Sequence, residues 1–229
     1  MGWDEFLRCL EQEIDWKSHD TSDVLALEKL LKEFGNNSQA VVQAINSLSD
    51  DSTLFDRYLP HVEYPRPFMD KFILHIDTQD RFRIRIHRFR PGAPMGVDAR
   101  TPSIHDHRWH FTTFVLSGSY CETIFNEVGN DACPNNYTPK IETCRRLNRG
   151  DIKSLSAGIL HQTVNDDLTE PCITLFVRGQ ARAPHSRVWD ERAHEFRTLS
   201  GRRTQVAREL ASISDSVGKA AAAVTAAVG

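Results

Sequence analysis

The chain has 229 residues, of which 40% are hydrophobic and 26% are charged, and its formal net charge is -3 at pH 7. This length suits one β domain with appended segments. The weak net charge argues against a nucleic-acid or anionic-membrane partner. No apolar run approaches the ~20 residues of a transmembrane helix, and the acidic N-terminus is unlike a signal peptide. The 5 cysteines lack the regular spacing of a disulfide framework, so we expect a cytoplasmic protein.

The N-terminal segment, residues 1–60, is predicted to be helical. The run from Trp3 to Leu10 has its apolar residues on one face of a helix. A second helix is capped near Ser22, and a third follows the break at Gly35. Three short amphipathic helices cannot bury their apolar faces alone. We therefore expect them to pack on the outside of the domain that follows.

Residues 61–200 are predicted to form a β domain, because strand-like runs alternate with turns there. The polar stretch 129–139 is expected to be a loop that joins two halves of this domain. Residues 201–229 differ in composition and end in an alanine-rich run. We expect this tail to be helical or disordered.

A first histidine motif lies within the β domain. In an extended strand, His105 and His107 project to the same side, close enough to share one cation. Neutral imidazole suits iron, zinc, copper and nickel. Trp109 and Phe111 have the same parity, so they are expected to form an apolar wall of a substrate pocket. The alternative is two unrelated surface histidines, with Trp109 and Phe111 in the ordinary core of the β domain.

A second motif contains Gly150, Gly158, His161 and Asn165. Gly158 suits a tight turn, after which His161 starts a strand and can reach the same metal. Asn165 and Thr163 are candidates for orienting this third ligand or lining the pocket. The alternative is a hydrogen-bonded histidine in a β domain that holds no metal.

Basic residues alternate with apolar ones before the first motif, at Arg83 and Arg85. One face of such a strand must be buried, and the charged face is more often the one in solvent. The alternative places either arginine in the pocket, as a substrate-binding residue.

Together, the two motifs resemble those of the cupins, and the order of the motifs is also the same. The resemblance implies a mainly β fold, the cupin double-stranded β-helix (jelly roll) barrel, with an N-terminal helical segment. Phe111 stands where the family usually has a glutamate ligand. The resemblance is therefore to three-histidine cupins, with His105, His107 and His161 holding iron(II), or alternatively zinc, nickel or manganese.

A closer resemblance is to cysteine dioxygenase and related thiol dioxygenases. It rests on Ser103-Ile104-His105-Asp106-His107, on Leu116-Ser117-Gly118 with Glu122-Thr123-Ile124-Phe125, and on Thr169-Glu170-Pro171. The chain also departs from that family. Thr112 replaces its crosslinking cysteine, and the family's serine, histidine and tyrosine are replaced by Thr174, Phe176 and Arg178.

These last three residues share a face by parity, so we assign them to the pocket. Arg178 and Thr174 are the predicted catalytic residues, and Phe176 is expected to contact substrate. An arginine binds a carboxylate through two parallel hydrogen bonds, which makes Arg178 a candidate clamp for an acidic substrate. The alternative for Arg178 is a salt bridge at the barrel rim.

The resemblance implies a mononuclear non-haem iron(II) oxygenase. It would act with O2 on a small chelating, anionic substrate such as a thiol, an amino acid or an enolate-like molecule. One alternative is a redox-neutral isomerase, lyase or cyclase that uses the same ligands. Another is a non-catalytic cupin that binds a small molecule. A homodimer is a further expectation.

Overall fold

The computed structural model describes residues 1–18, 20–63, 68–92, 103–130, 133–190 and 195–199. The predicted tail, 201–229, lies outside this range. The N-terminal helices are α1 (Trp3–Gln12), α2 (Thr21–Asn36), α3 (Ser38–Asp50) and α4 (Ser52–Tyr58), followed by a 3-10 turn, Leu59–His61. The prediction of three helices missed α4. This helix starts at a local cap, where the Asp51 side chain accepts a hydrogen bond from the Leu54 backbone N–H at 2.9 Å.

Ten antiparallel strands follow the helices within the described residues. They are β1 (Met69–Ile76), β2 (Arg83–Phe89), β3 (Trp109–Ser117), β4 (Ser119–Asn130), β5 (Cys133–Asn148), β6 (Ile152–Leu155), β7 (Leu160–Val164), β8 (Cys172–Ala181), β9 (Ser186–Asp190) and β10 (Glu195–Leu199). One sheet has the order β1-β2-β8-β3-β6, a second has β5-β4-β7, and β9 pairs with β10. This architecture confirms the predicted mainly β jelly roll with N-terminal helices.

Residues 129–130 and 133–139 belong to strands, so the predicted loop is wrong for the described part of 129–139. Strands β4 and β5 pair through most of this stretch, with Gly129 opposite Tyr137 and Val128 opposite Thr138. The register shifts between Gly129 and Asn130. Glycine, asparagine and proline are typical of loops, but here a long antiparallel pairing satisfies the backbone groups and overrides that local preference.

The helices cover the outer face of the five-stranded sheet. Phe6 of α1 and Phe34 of α2 are fully buried, and their rings stack at 4.4 Å. They belong to one apolar core together with Ile84 of β2, Phe114 of β3 and other outward-facing strand residues. The outer face of this sheet is therefore part of the main hydrophobic core.

This packing determines the direction of the basic residues on β2. Ile84 and Ile86 pack with the helices, so the alternate residues Arg83, Arg85 and His87 face the barrel interior. His87 is only 6% exposed. The common arrangement, with the charged face in solvent, is therefore not the one in this protein.

Gly35 of α2 packs directly against Phe114 of the sheet. A Cβ atom at this position would lie 2.4 Å from Cδ1 of Phe114, a ring that is 2% exposed. Helix propensity alone predicts that Gly35→Ala stabilises the protein by about 1 kcal/mol. We expect the opposite, a fall of about 1–2 kcal/mol in the free energy of unfolding, because overpacking costs more than this gain. Urea denaturation measures the change.

The same substitution in a Phe114→Leu background is the matched control. The loss from Gly35→Ala should be smaller there, because the shorter side chain leaves room for the methyl group. An increase in stability for Gly35→Ala alone would show that the ring moves aside at no cost.

Candidate metal centre

The backbone brings the two histidine motifs side by side. His105 and His161 form an isolated antiparallel bridge, in which each backbone N–H donates to the other's carbonyl oxygen, at 2.9 and 2.8 Å. Strand β3 begins only at Trp109, so His105 and His107 precede the strand in which they were expected. Gly158 has φ +82° and makes the tight turn before β7. The site therefore lies where the first motif meets the second sheet.

The three predicted ligands come together in one cluster. Candidate ligand atoms of His105, His107 and His161 all lie within 4.8 Å of one another. The ring centroid of His105 is 4.8 Å from that of His107 and 4.6 Å from that of His161, and the His107–His161 separation is 5.1 Å. Converging imidazoles of this kind suit a transition metal.

Hydrogen bonds orient two of the rings. Nδ1 of His105 lies 2.8 Å from the Ser103 carbonyl oxygen, and Nδ1 of His161 lies 3.1 Å from Oε1 of Glu122. Both partners are acceptors, so each Nδ1 carries the proton. Each Nε2 then keeps a lone pair that can coordinate a metal ion. Nε2 of His161 is buried and has no hydrogen-bond partner among the described residues. A metal ion would satisfy this atom, so the donor set fits one.

Burial keeps the cluster neutral. It lowers the pKa of His105 and of His161 to about 3, with proximity to the other charged groups adding to the effect. Burial also holds the pKa of His107 well below its usual value. Protons therefore do not compete with a cation for these nitrogens at pH 7.

Behind His161 lies a buried ion pair that the sequence patterns did not identify. Glu122 is 1% exposed, and its second oxygen, Oε2, contacts Nζ of Lys153, which is 7% exposed. Burial lowers the pKa of Lys153 to about 8, and the carboxylate contact favours the charged form. In the sequence, this ion pair is indicated only by a glutamate inside a strand that also has apolar residues. The contact of Glu122 with His161 depends on the pairing of β4 with β7, which places Glu122 opposite Thr163.

Asp106, between the first two ligands, points the other way. Its carboxylate accepts hydrogen bonds from the Arg187 backbone N–H at 2.6 Å and from Arg187 Nε at 2.7 Å. The Asp106 backbone N–H also donates to the Arg187 carbonyl oxygen. Strand β9 thereby holds the backbone of the first motif in place.

A cavity of about 230 Å³ adjoins the histidine cluster. Its lining includes these predicted site residues: Arg85, His105, His107, Trp109, Phe111, His161, Thr163 and Phe176. The rings of Phe111 and Phe176 stack at 4.8 Å, and Trp109 stacks on His107 at 5.6 Å. Trp109 and Phe111, the two residues of the predicted apolar wall, thus line the cavity together with Phe176.

The cavity also has lining residues that the sequence patterns did not single out as site residues, notably Lys71, His87 and Tyr120. Burial raises the pKa of Tyr120, so its side chain remains a neutral phenol. These residues come from β1, β2 and the start of β4. Only the closure of the barrel brings them to one cavity.

Arg83, Arg178 and Thr174 are not among the cavity-lining residues. Asp80 holds Arg83 by two hydrogen bonds, at 2.6 and 2.9 Å. Arg178 donates to the Gly179 carbonyl oxygen at 2.9 Å and to Asp80 at 3.4 Å. Its guanidinium lies 4.8 Å from the ring centroid of Trp109. Arg178 thus forms a salt bridge with Asp80, as in the alternative to a substrate clamp.

Burial lowers the pKa of Arg178 to about 9, with nearby arginines adding to the effect. Thr174 is fully buried. Neither residue lines the cavity, so a catalytic role for Arg178 or Thr174 stays a prediction.

The side chain of Asn165 is engaged in the turn between β7 and β8. It donates to the Glu170 carbonyl oxygen at 2.9 Å and accepts from the Asp167 backbone N–H at 3.1 Å. Thr163, in contrast, lines the cavity. Glu122 makes the side-chain contact to His161 that we expected from Asn165 or Thr163.

No family model matches this chain, and no curated protein does. Solved structures that resemble it include KdgF from Halomonas sp., with a TM-score of 0.36 and 13% identity over 52% of this chain and 86% of that chain. DMSP lyase DddQ from Ruegeria pomeroyi has a TM-score of 0.35 and 18% identity over 52% of this chain and 50% of that chain. An oxalate decarboxylase from Bacillus subtilis has a TM-score of 0.35 and 16% identity over 54% of this chain and 28% of that chain. The chain thus spans half or less of the last two proteins. At such low TM-scores these likenesses carry no argument about metal, substrate or reaction.

Among the described residues, none of the helices combines the length and the apolar character that crossing a membrane requires.

The Glu122 carboxylate should contribute to metal affinity. Glu122→Gln removes the negative charge that polarises His161 and leaves Lys153 buried without its partner. We expect metal affinity to fall about 10- to 100-fold and the free energy of unfolding to fall by about 3 kcal/mol. Competition with a chelating dye measures the first change, and urea denaturation the second.

Glu142→Gln, on the exposed part of β5, is the control and should change neither quantity. Adding Lys153→Met to Glu122→Gln should recover stability but not metal affinity, because it removes the unpaired charge and restores no carboxylate. Unchanged affinity in Glu122→Gln would rule out this role for the carboxylate.

Proposed function

We propose that this protein is a metal-dependent cupin enzyme that binds one divalent metal through His105, His107 and His161. The observation that carries the proposal is the converging, neutral histidine cluster, with a buried Nε2 of His161 that lacks a partner in the described parts of the chain. Three protein ligands leave coordination positions open, as in catalytic rather than structural sites. The adjoining cavity provides space for a substrate at those positions.

We further propose iron(II) as the metal and an oxygenase reaction with O2. Iron(II), when bound, would supply the redox chemistry. The chain's own residues would bind and shield the substrate. Trp109, Phe111 and Phe176 exclude water beside the ligands, which strengthens the electrostatic interactions within the cavity. Three neutral ligands leave the full metal charge uncompensated, which favours an anionic, chelating substrate. The resemblance to thiol dioxygenases in the first motif supports this choice.

A redox-neutral reaction is the second candidate. Zinc, nickel or manganese on the same ligands would act as a Lewis acid for isomerisation, elimination or cyclisation. The observation in its favour is the replacement of the thiol-dioxygenase relay of serine, histidine and tyrosine by Thr174, Phe176 and Arg178. Phe176 is apolar and lines the cavity, so it cannot relay a proton.

Elemental analysis tests the metal proposal. Protein purified without chelator and without affinity-tag metal should contain close to one metal ion per chain, and His161→Ala should lose it. His185→Ala is the control and should keep the metal, because His185 is exposed and outside the cluster. Metal retained by His161→Ala, or no metal even after anaerobic addition of iron(II), contradicts the assignment.

Oxygen consumption separates the two reaction classes. We expect the iron(II)-loaded protein to consume O2 when a panel of small thiols and acidic chelators is added, and the zinc-loaded protein to consume none. Turnover of a substrate by the zinc- or nickel-loaded protein without O2 uptake would favour the redox-neutral reaction. Tight ligand binding without turnover by any metal form would favour a binding protein.

A further inference from the structure

The cavity has a basic wall, which we define as Lys71, Arg85 and His87. Lys71 of β1 lies directly opposite His87 of β2, and Arg85 is two residues away on the same face. All three line the cavity that contains the histidine cluster. The wall and the candidate metal centre therefore border the same cavity.

Polar atoms on this side of the cavity lack acceptors. Nε of Arg85, Nε2 of His87 and Nε1 of Trp109 are buried, and none has a hydrogen-bond partner in the described parts of the chain. Arginine and tryptophan nitrogens only donate. Buried donors without acceptors are costly, so a ligand that supplies acceptor oxygens would stabilise this wall.

The charge balance of the cavity points to an anion. Among the described lining residues, Glu122 is paired with Lys153, Asp106 is paired with Arg187, and Lys71 lies 3.5 Å from Glu63. Arg85, in contrast, forms no salt bridge with a described residue. Burial lowers its pKa to about 10, while the carboxylates of Glu63 and Asp80 favour its charged form, so it remains charged at pH 7. A divalent metal on three neutral histidines would add two further positive charges to the cavity.

We propose that Arg85 anchors a carboxylate of the same ligand whose other end binds the metal. The substrate class is then a small molecule with two acidic groups, one that ligates the metal and one that pairs with Arg85. This inference rests on the proposed metal function. The cavity of about 230 Å³ is smaller than pockets for drug-sized ligands, which limits the substrate to a short chain between its two acidic groups.

A matched pair of probes tests the proposal. The monohydroxamate of succinic acid carries a metal-binding group and a distant carboxylate, and its terminal amide is nearly isosteric but neutral. Zinc-loaded protein avoids turnover, and titration calorimetry measures both affinities. We expect the acid to bind about 10- to 100-fold more tightly than the amide, as charge-assisted hydrogen bonds predict. Arg85→Gln should remove most of this preference and weaken binding of the amide far less than binding of the acid.

Two further variants identify the cause. Arg83→Gln is the matched control, because Arg83 lies on the same strand and face but is held by Asp80 outside the cavity lining. It should keep the acid preference. Arg85→Lys keeps the charge but loses the planar fork, so its preference should be intermediate. Equal binding of acid and amide to the wild type, or a preference that persists in Arg85→Gln, overturns the proposal while the metal site stands.

The metal-free protein distinguishes this inference from the proposed function. The carboxylate should still bind Arg85 there, so the acid should raise Tm more than the amide does, and Arg85→Gln should abolish the difference. That result would support the anion subsite even if elemental analysis rejected the metal. No Tm difference in the metal-free protein, together with equal binding to the metal-loaded one, would overturn it.

Discussion

The packing of the N-terminal helices on the five-stranded sheet is the constraint on which the site depends. Because Phe6, Phe34 and their neighbours bury the outer face of this sheet, its apolar residues point away from the barrel. The inner face can then carry Arg85 and His87 without loss of a hydrophobic core. A barrel without this layer would need its apolar residues inside, where they would exclude a polar cavity.

The metal centre lies where the first motif meets the second sheet. The bridge between His105 and His161 joins the segment before β3 to strand β7. Glu122 supports this junction from β4, and Lys153 does so from β6 of the other sheet. The buried ion pair therefore connects both sheets behind one ligand. Such a pair adds little to stability by itself, but it fixes the tautomer and the direction of the His161 ring.

The basic wall and the histidine cluster border one cavity and favour different ligand groups. Histidines that are neutral because they are buried suit a cation, and Arg85 suits an anion. A ligand with two acidic groups satisfies both requirements at once. Arg178 contributes differently, since it packs against Trp109 and pairs with Asp80, so it supports the aromatic wall from outside the cavity.

The sequence by itself determined the three histidines, the turn at Gly158 and the mainly β class, because these depend on short-range spacing and backbone preference. It also showed that Arg83 and Arg85 lie on the same face of their strand, because side chains alternate in direction along a strand. Only the tertiary structure decided that Arg85 lines the cavity while Arg83 does not, and that Glu122 rather than Asn165 contacts His161. It also decided that 129–130 and 133–139 belong to strands β4 and β5. These outcomes depend on which strands pair and which face the helices cover, and both are set by contacts between residues far apart in the chain.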